Sequence, residues 1–232
     1  MKLVIFDVDG TLVDSQIIIV AAQRAAFAAL GLEPPSRERS LSIVGLSLIE
    51  AFTVLAGPKA PVEELVEAYK TAFGSLRLDP AYEEPFYPGA LDCLDWLSAR
   101  DDVRLGIATG KTHRGVSHLL DRHGWHRRFA TIQTADGAPS KPHPAMIRQA
   151  LEATDVQAGN AVMIGDSTFD MQMAKAAGVE AIGVSWGFHP PAALKEAGAS
   201  VIVASYPALM PVLRDFLDPT SSGGPSTPIS GP

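Results

Sequence analysis

The chain has 232 residues, enough for one large domain or a domain carrying an insertion. With 47% hydrophobic and 19% charged residues it can bury a sizeable core, which excludes a disordered composition. A net charge of −7 argues against a protein that grips nucleic acid through a broad basic face, and the single cysteine excludes an internal disulfide framework. In chain order, Lys2-Leu-Val-Ile-Phe-Asp-Val-Asp9 comes first, a short apolar run ending in acid, as fully buried parallel strands do. The pattern returns at Val103–Thr109, Ala161–Asp166 and Glu180–Ser185, and more weakly at Phe129–Thr134 and Ser200–Ala204. Helical patterns occupy 89–99, 112–124, 144–153, 168–177, 190–197 and 206–217, so strands and helices alternate. That alternation predicts an α/β fold, a doubly wound parallel sheet.

One region breaks the alternation. Between Ser15 and Glu84 no strand pattern is found, only helical ones at Ala21–Leu30, Ser40–Leu55 and Val62–Leu76. We therefore expect a core domain from 1–14 and 85–218 with an all-helical insertion at 15–84. A doubly wound sheet binds ligands beyond the carboxyl ends of its strands, so an insertion leaving the first strand there would cap the site. Residues 219–232, almost all Pro, Gly, Ser and Thr, read as a disordered tail. Met1–Phe6 is too short for a signal-peptide core, and Gln23 and Arg24 interrupt the apolar stretch Ile17–Ala22. A soluble, cytoplasmic protein without a membrane partner is expected, with Cys93 a buried, inert thiol.

The chemistry gathers at strand ends. Asp7 and Asp9 stand two apart at the end of the first strand, where alternate side chains share a face, and Gly10 then permits a tight turn. Thr109-Gly110 closes the second core strand, where a hydroxyl and backbone amides can hold phosphate oxygens. Lys141 stands between prolines in Ser140-Lys-Pro-His-Pro144, and Asp166 and Asp170 flank the start of a helix. Turn formation and helix capping are the plain readings of Thr109, Asp166 and Asp170 taken singly. Together they bring four acids, a hydroxyl and a lysine to one pole. Crowded carboxylates call for a hard cation, and Mg2+ takes its ligands from carboxylates and substrate phosphate. Such a set suits phosphoryl transfer to a carboxylate nucleophile.

Asp7-Val-Asp-Gly-Thr-Leu-Val-Asp-Ser15, Thr109, Lys141 and Gly165-Asp-Ser-Thr-Phe-Asp170 resemble the four motifs of the haloacid dehalogenase superfamily. Within it the chain is similar to the phosphoglycolate phosphatase-like group, which carries a helical cap after the first strand. The resemblance implies a Mg2+-dependent phosphatase in which Asp7 attacks phosphorus and binds the metal. Asp9 would act as acid and then base while its backbone carbonyl helps hold the metal, and Asp166 would be a further metal ligand. Thr109 and Gly110 would bind the phosphoryl group, Lys141 would stabilise its charge, and Asp170 would support Lys141 or the metal's waters. True dehalogenases lack an acid at the position of Asp9.

The implied partner is a small phosphorylated metabolite, phosphoglycolate first, acted on by a monomer or homodimer. A β-phosphoglucomutase-like phosphomutase, a pyrophosphatase, a receiver-like phosphoacceptor and a non-catalytic paralogue are the alternatives. Hydrolysis is favoured over the mutase because Ile43-Val44, not basic residues, precede Gly45. Ile43–Ser47 resembles a substrate-touching cap segment without charge, so cationic recognition would fall to Arg37, Arg39, Lys111 or Arg114. Trp186-Gly-Phe-His189 follows a core strand and could border the site. His113, His118, His123 and His126 fit no zinc motif and read as a surface helix.

Overall fold

The computed structural model describes residues 1–125 and 127–219. Six strands form one parallel sheet in the order β3-β2-β1-β4-β5-β6. They are β1 (Lys2–Phe6), β2 (Val103–Thr109), β3 (Thr131–Thr134), β4 (Ala161–Gly165), β5 (Glu180–Val184) and β6 (Val201–Val203). Each strand expected from the sequence is present. The order reverses direction at β1, which has β2 on one side and β4 on the other. The carboxyl ends of those three strands therefore form the crevice where such sheets bind ligands.

Burial on both faces explains the unbroken apolar runs. Val4 and Phe6 point to one face, where Leu94 and Leu97 of α5 (Ala90–Ser98), Leu119 and Leu120 of α6 (His113–His123) and Leu209 and Leu213 of α10 (Tyr206–Leu217) cover them. Leu3 and Ile5 point to the other, against Met146 and Ile147 of α7 (Ala145–Thr154), Met171 of α8 (Thr168–Ala176) and Leu194 of α9 (Pro191–Ala197). Cys93 lies fully buried in the first layer, and burial pushes its thiol up to about 12.

Between β1 and β2 come α1 (Gln16–Ala29), α2 (Arg37–Leu41), α3 (Leu48–Ala56) and α4 (Val62–Leu76). Glu63 and Glu64 in its first turn complement the N-terminal dipole of α4. These helices have their own apolar cluster, built on Phe27, Phe52, Leu65 and Val66, with Phe188 of the core half-buried against it. The chain leaves and returns along paired segments: Asp14 N–H donates to Pro85 O at 2.8 Å and Tyr87 N–H to Leu12 O at 3.0 Å.

The helical expectation at Ser40–Leu55 is corrected. Two helices replace one because Gly45 adopts φ +107, which a helix cannot continue through, and the Ser47 hydroxyl caps α3 by accepting from Glu50 N–H. The first helix also begins earlier than expected, after Ser15. No helix among the described residues is long and apolar enough to cross a membrane. Residues 220–232 of the expected tail, and His126, lie outside the described residues.

Candidate active site

β1 ends at Phe6, and Asp7 continues its ladder by donating N–H to Ile164 O at 3.0 Å. Asp7 and Asp9 therefore lie just past the strand rather than on it. From Val8 the chain turns sharply: Leu12 and Val13 N–H both donate to Val8 O, and Gly10 N–H to Val13 O. Gly10 has φ +81, and a Cβ there would lie 2.3 Å from Asp166 Oδ2, so only glycine allows both the turn and the approach. Gly187 meets Asp166 from the other side, where a Cβ would stand 2.2 Å from the aspartate Cβ.

Asp166 follows β4 and is held on both oxygens. Oδ1 accepts from the Thr11 hydroxyl at 3.0 Å and Oδ2 from Phe188 N–H at 2.8 Å. Trp186 Nε1 donates to Thr11 O at 3.1 Å, so segment 186–189 borders the site. Asp170 combines two roles: its Oδ2 accepts from the Ser167 hydroxyl and N–H, completing a capping box for α8, while Oδ1 accepts from Lys141 Nζ at 2.6 Å. Lys141 also reaches Asp7 Oδ1 at 3.0 Å, with its side chain wholly buried between the two acids.

Carboxylate oxygens of Asp7, Asp166 and Asp170 lie within 4.8 Å of one another. The carboxyl group of Asp9 is not in this group; its Oδ1 accepts from Lys111 Nζ at 2.8 Å. The same ammonium reaches Glu84 Oε1 at 2.7 Å, a residue that local sequence did not single out. Thr109 closes β2 with its hydroxyl accepting from Lys111 N–H at 3.2 Å. Gly110 packs under the loop from α2 to α3, where a Cβ would lie 2.5 Å from Gly45 O. A second contact holds that loop, Ser47 N–H donating to the Ser140 hydroxyl at 2.8 Å.

Asp7, Asp9, Thr109 and Gly110 line a cavity of about 870 Å³, whereas Lys141, Asp166 and Asp170, buried like Asp7, do not line it. Lys111 and Arg114 line it. Arg37 and Arg39 do not: Arg37 donates to Gln16 and Arg39 to Leu55 O, which corrects their expected part in recognition. Arg77 of the cavity wall was not anticipated. His123 packs edge-on against Phe86, and among the described residues no histidine joins the acidic group.

The electrostatics follow from burial. Burial pushes Asp7 up to about 7, with Lys141 opposing and Asp170 and Asp9 adding to the rise. Asp166 is likewise raised well above the carboxylate range by burial and by Asp170 and Asp7, against the Phe188 and Thr11 hydrogen bonds. Burial alone would favour the neutral amine of Lys141, but Asp170 and Asp7 outweigh it and hold the ammonium charged. Ionised together, these three buried carboxylates would exceed the one ammonium by the charge of one divalent cation. An all-oxygen donor set fits a hard cation such as Mg2+.

Residues 4–184 match the profile of the haloacid dehalogenase-like hydrolases. The chain is 35% identical over 224 residues to a probable phosphatase, IndB, of Dickeya dadantii, covering 95% of this chain and 96% of that one. It is 31% identical to phosphoglycolate phosphatase 1 of Pseudomonas aeruginosa, covering 90% of this chain and 79% of the relative. A haloacid dehalogenase-like hydrolase from Streptococcus pneumoniae superposes with a TM-score of 0.78 at 27% identity, covering 92% of this chain and 98% of the other. The chain therefore belongs to the haloacid dehalogenase-like hydrolase family and is a phosphatase of that family.

Proposed function

We propose that this chain is a Mg2+-dependent phosphatase that hydrolyses a phosphate monoester of a small metabolite through a phosphoaspartate on Asp7. The observation that carries the reading is the placement of Asp7, at the floor of the cavity, beside Lys141 and within a three-carboxylate group. Asp7, Asp166 and the backbone carbonyl of Asp9 would hold Mg2+, with Asp170 beside them. Bound there, the ion would neutralise the substrate's phosphoryl oxygens and let an anionic nucleophile approach.

The chain's own residues account for the remaining steps. An Asp7 carboxylate oxygen attacks phosphorus, and the bond from phosphorus to the ester oxygen breaks. Asp9, facing the same cavity, gives its proton to that departing oxygen. Lys141 balances charge on the transferred group, while the Thr109 hydroxyl and Gly110 N–H bind its oxygens. Asp9 then takes a proton from water, whose oxygen attacks phosphorus, releasing inorganic phosphate and restoring Asp7. Helices α1–α4 act as a cap, residues 15–84 on a core of 1–14 and 85–218, that shields the phosphoaspartate from bulk water.

Relatives named for phosphoglycolate make that ester the first candidate substrate. The test is phosphate release from a panel of monoesters, with and without Mg2+, for wild type and Asp7→Asn. Mg2+-dependent release that vanishes in Asp7→Asn supports the reading. Release that survives the substitution overturns it.

A further inference from the structure

The cavity beside Asp7 is large, and the helices between β1 and β2 give it several apolar lining residues. Pockets of roughly 300–1,000 Å³ hold ligands of drug size, and this one, at about 870 Å³, far exceeds what glycolate would fill. Val44, Leu48, Phe52, Tyr69 and Phe73 are among its lining residues. Phe52 and Tyr69 meet edge-on with centroids 5.5 Å apart, and Tyr69 and Phe73 lie 5.6 Å apart. They form one aromatic row, on which a ring can pack, with Arg77 and Lys111 5.0 and 5.2 Å from the Phe73 centroid.

Three of the cations on the cavity are already matched by acids. Lys111 is shared between Asp9 and Glu84, and Arg77 reaches Glu84 at 3.5 Å. Lys70 pairs with Glu67 at 2.8 Å, and Arg114 is exposed. A carboxylate one carbon from the ester oxygen, as in phosphoglycolate, would sit beside the acid Asp9. It would have to compete with Asp9 and Glu84 for Lys111, and burying it unpaired is costly.

We infer that the preferred substrate is a phosphate monoester with an apolar leaving group of aromatic size, rather than the ester of a small hydroxy acid. The inference rests on the phosphatase reading above and refines the substrate of the same site. Phosphate enters toward Asp7, Thr109 and Gly110, and the leaving group lies against Leu48, Phe52, Tyr69 and Phe73.

The test compares benzyl phosphate, ethyl phosphate and 2-phosphoglycolate with the Mg2+-loaded full chain, all three being alkyl esters. Burying a phenyl ring predicts a kcat/KM for benzyl phosphate about tenfold or more above either of the others. Phe73→Ala and, separately, Leu48→Arg reduce the benzyl-to-ethyl ratio by about threefold or more, a quotient from which the fraction of folded enzyme cancels. Benzylphosphonate, which cannot lose its organic group by ester hydrolysis, raises the melting temperature more than ethylphosphonate does. Equal or faster turnover of 2-phosphoglycolate, or a ratio unmoved in both variants, would overturn this inference and leave the phosphatase reading standing. No release from any of the three by folded protein would overturn both.

Discussion

Replacing the proposed nucleophile with its neutral isostere should stabilise the protein when no metal is added. Asp7 is buried and its carboxyl is raised from 3.8 to about 7. The folded chain thus holds the proton to about pH 7, whereas the unfolded chain releases it near 3.8. Stability therefore falls as pH rises through that window, by about 1.4 kcal/mol per pH unit and about 4 kcal/mol in all as an upper bound. Asp7→Asn mimics the protonated carboxyl and is spared the loss. Chains of this size shift by about 2–4 °C in Tm per kcal/mol, so the variant should melt up to about 8–16 °C above wild type at about pH 8. At about pH 4 the two should melt together. Calorimetry in EDTA at both values reads the effect. A variant that melts below wild type at the higher pH, or a gap independent of pH, would refute the reasoning.

Further outcomes follow from the same geometry. Mg2+ at about 100 times its Kd should stabilise wild type by about 2.7 kcal/mol in thermal melts, and Asp166→Asn should abolish that shift; an equal shift in the variant contradicts the ligand assignment. Lys141→Met leaves Asp7 and Asp170 without their shared ammonium and should cost about 3–5 kcal/mol in denaturant unfolding at about pH 8, with a loss below 1 kcal/mol contradicting the account. Gly187→Ala forces a Cβ to within 2.2 Å of Asp166 and should remove the Mg2+-dependent melting shift. Gly159→Ala, with nothing within 4 Å, should leave it intact and stability within about 0.5 kcal/mol.

Much of the fold was legible because its signals are local. Strands buried on both faces must be apolar throughout, so six short runs separated by amphipathic helices declare a parallel sheet. The break at Gly45 was local too, a glycine followed by the capping residue Ser47, but the apolar periodicity on either side masked it. The candidate site was legible where acids end strands. What holds those acids was not, because the contacts join distant segments: Thr11 with Asp166, Lys111 with Asp9 and Glu84, Phe188 with Asp166. No periodicity encodes such pairs. Asp170 shows how capping and function coexist, since one carboxylate oxygen closes the box on Ser167 while the other takes Lys141.

The central claim, covalent catalysis by Asp7, is tested most directly by trapping the intermediate. Wild-type enzyme with Mg2+ and a turned-over monoester is quenched in acid on the millisecond scale, digested and analysed by mass spectrometry. The account predicts the added mass of one phosphoryl group on the peptide containing Asp7, located at that residue and missing in Asp7→Asn. Turnover with phosphate on no residue, or with the label on another side chain, would contradict it.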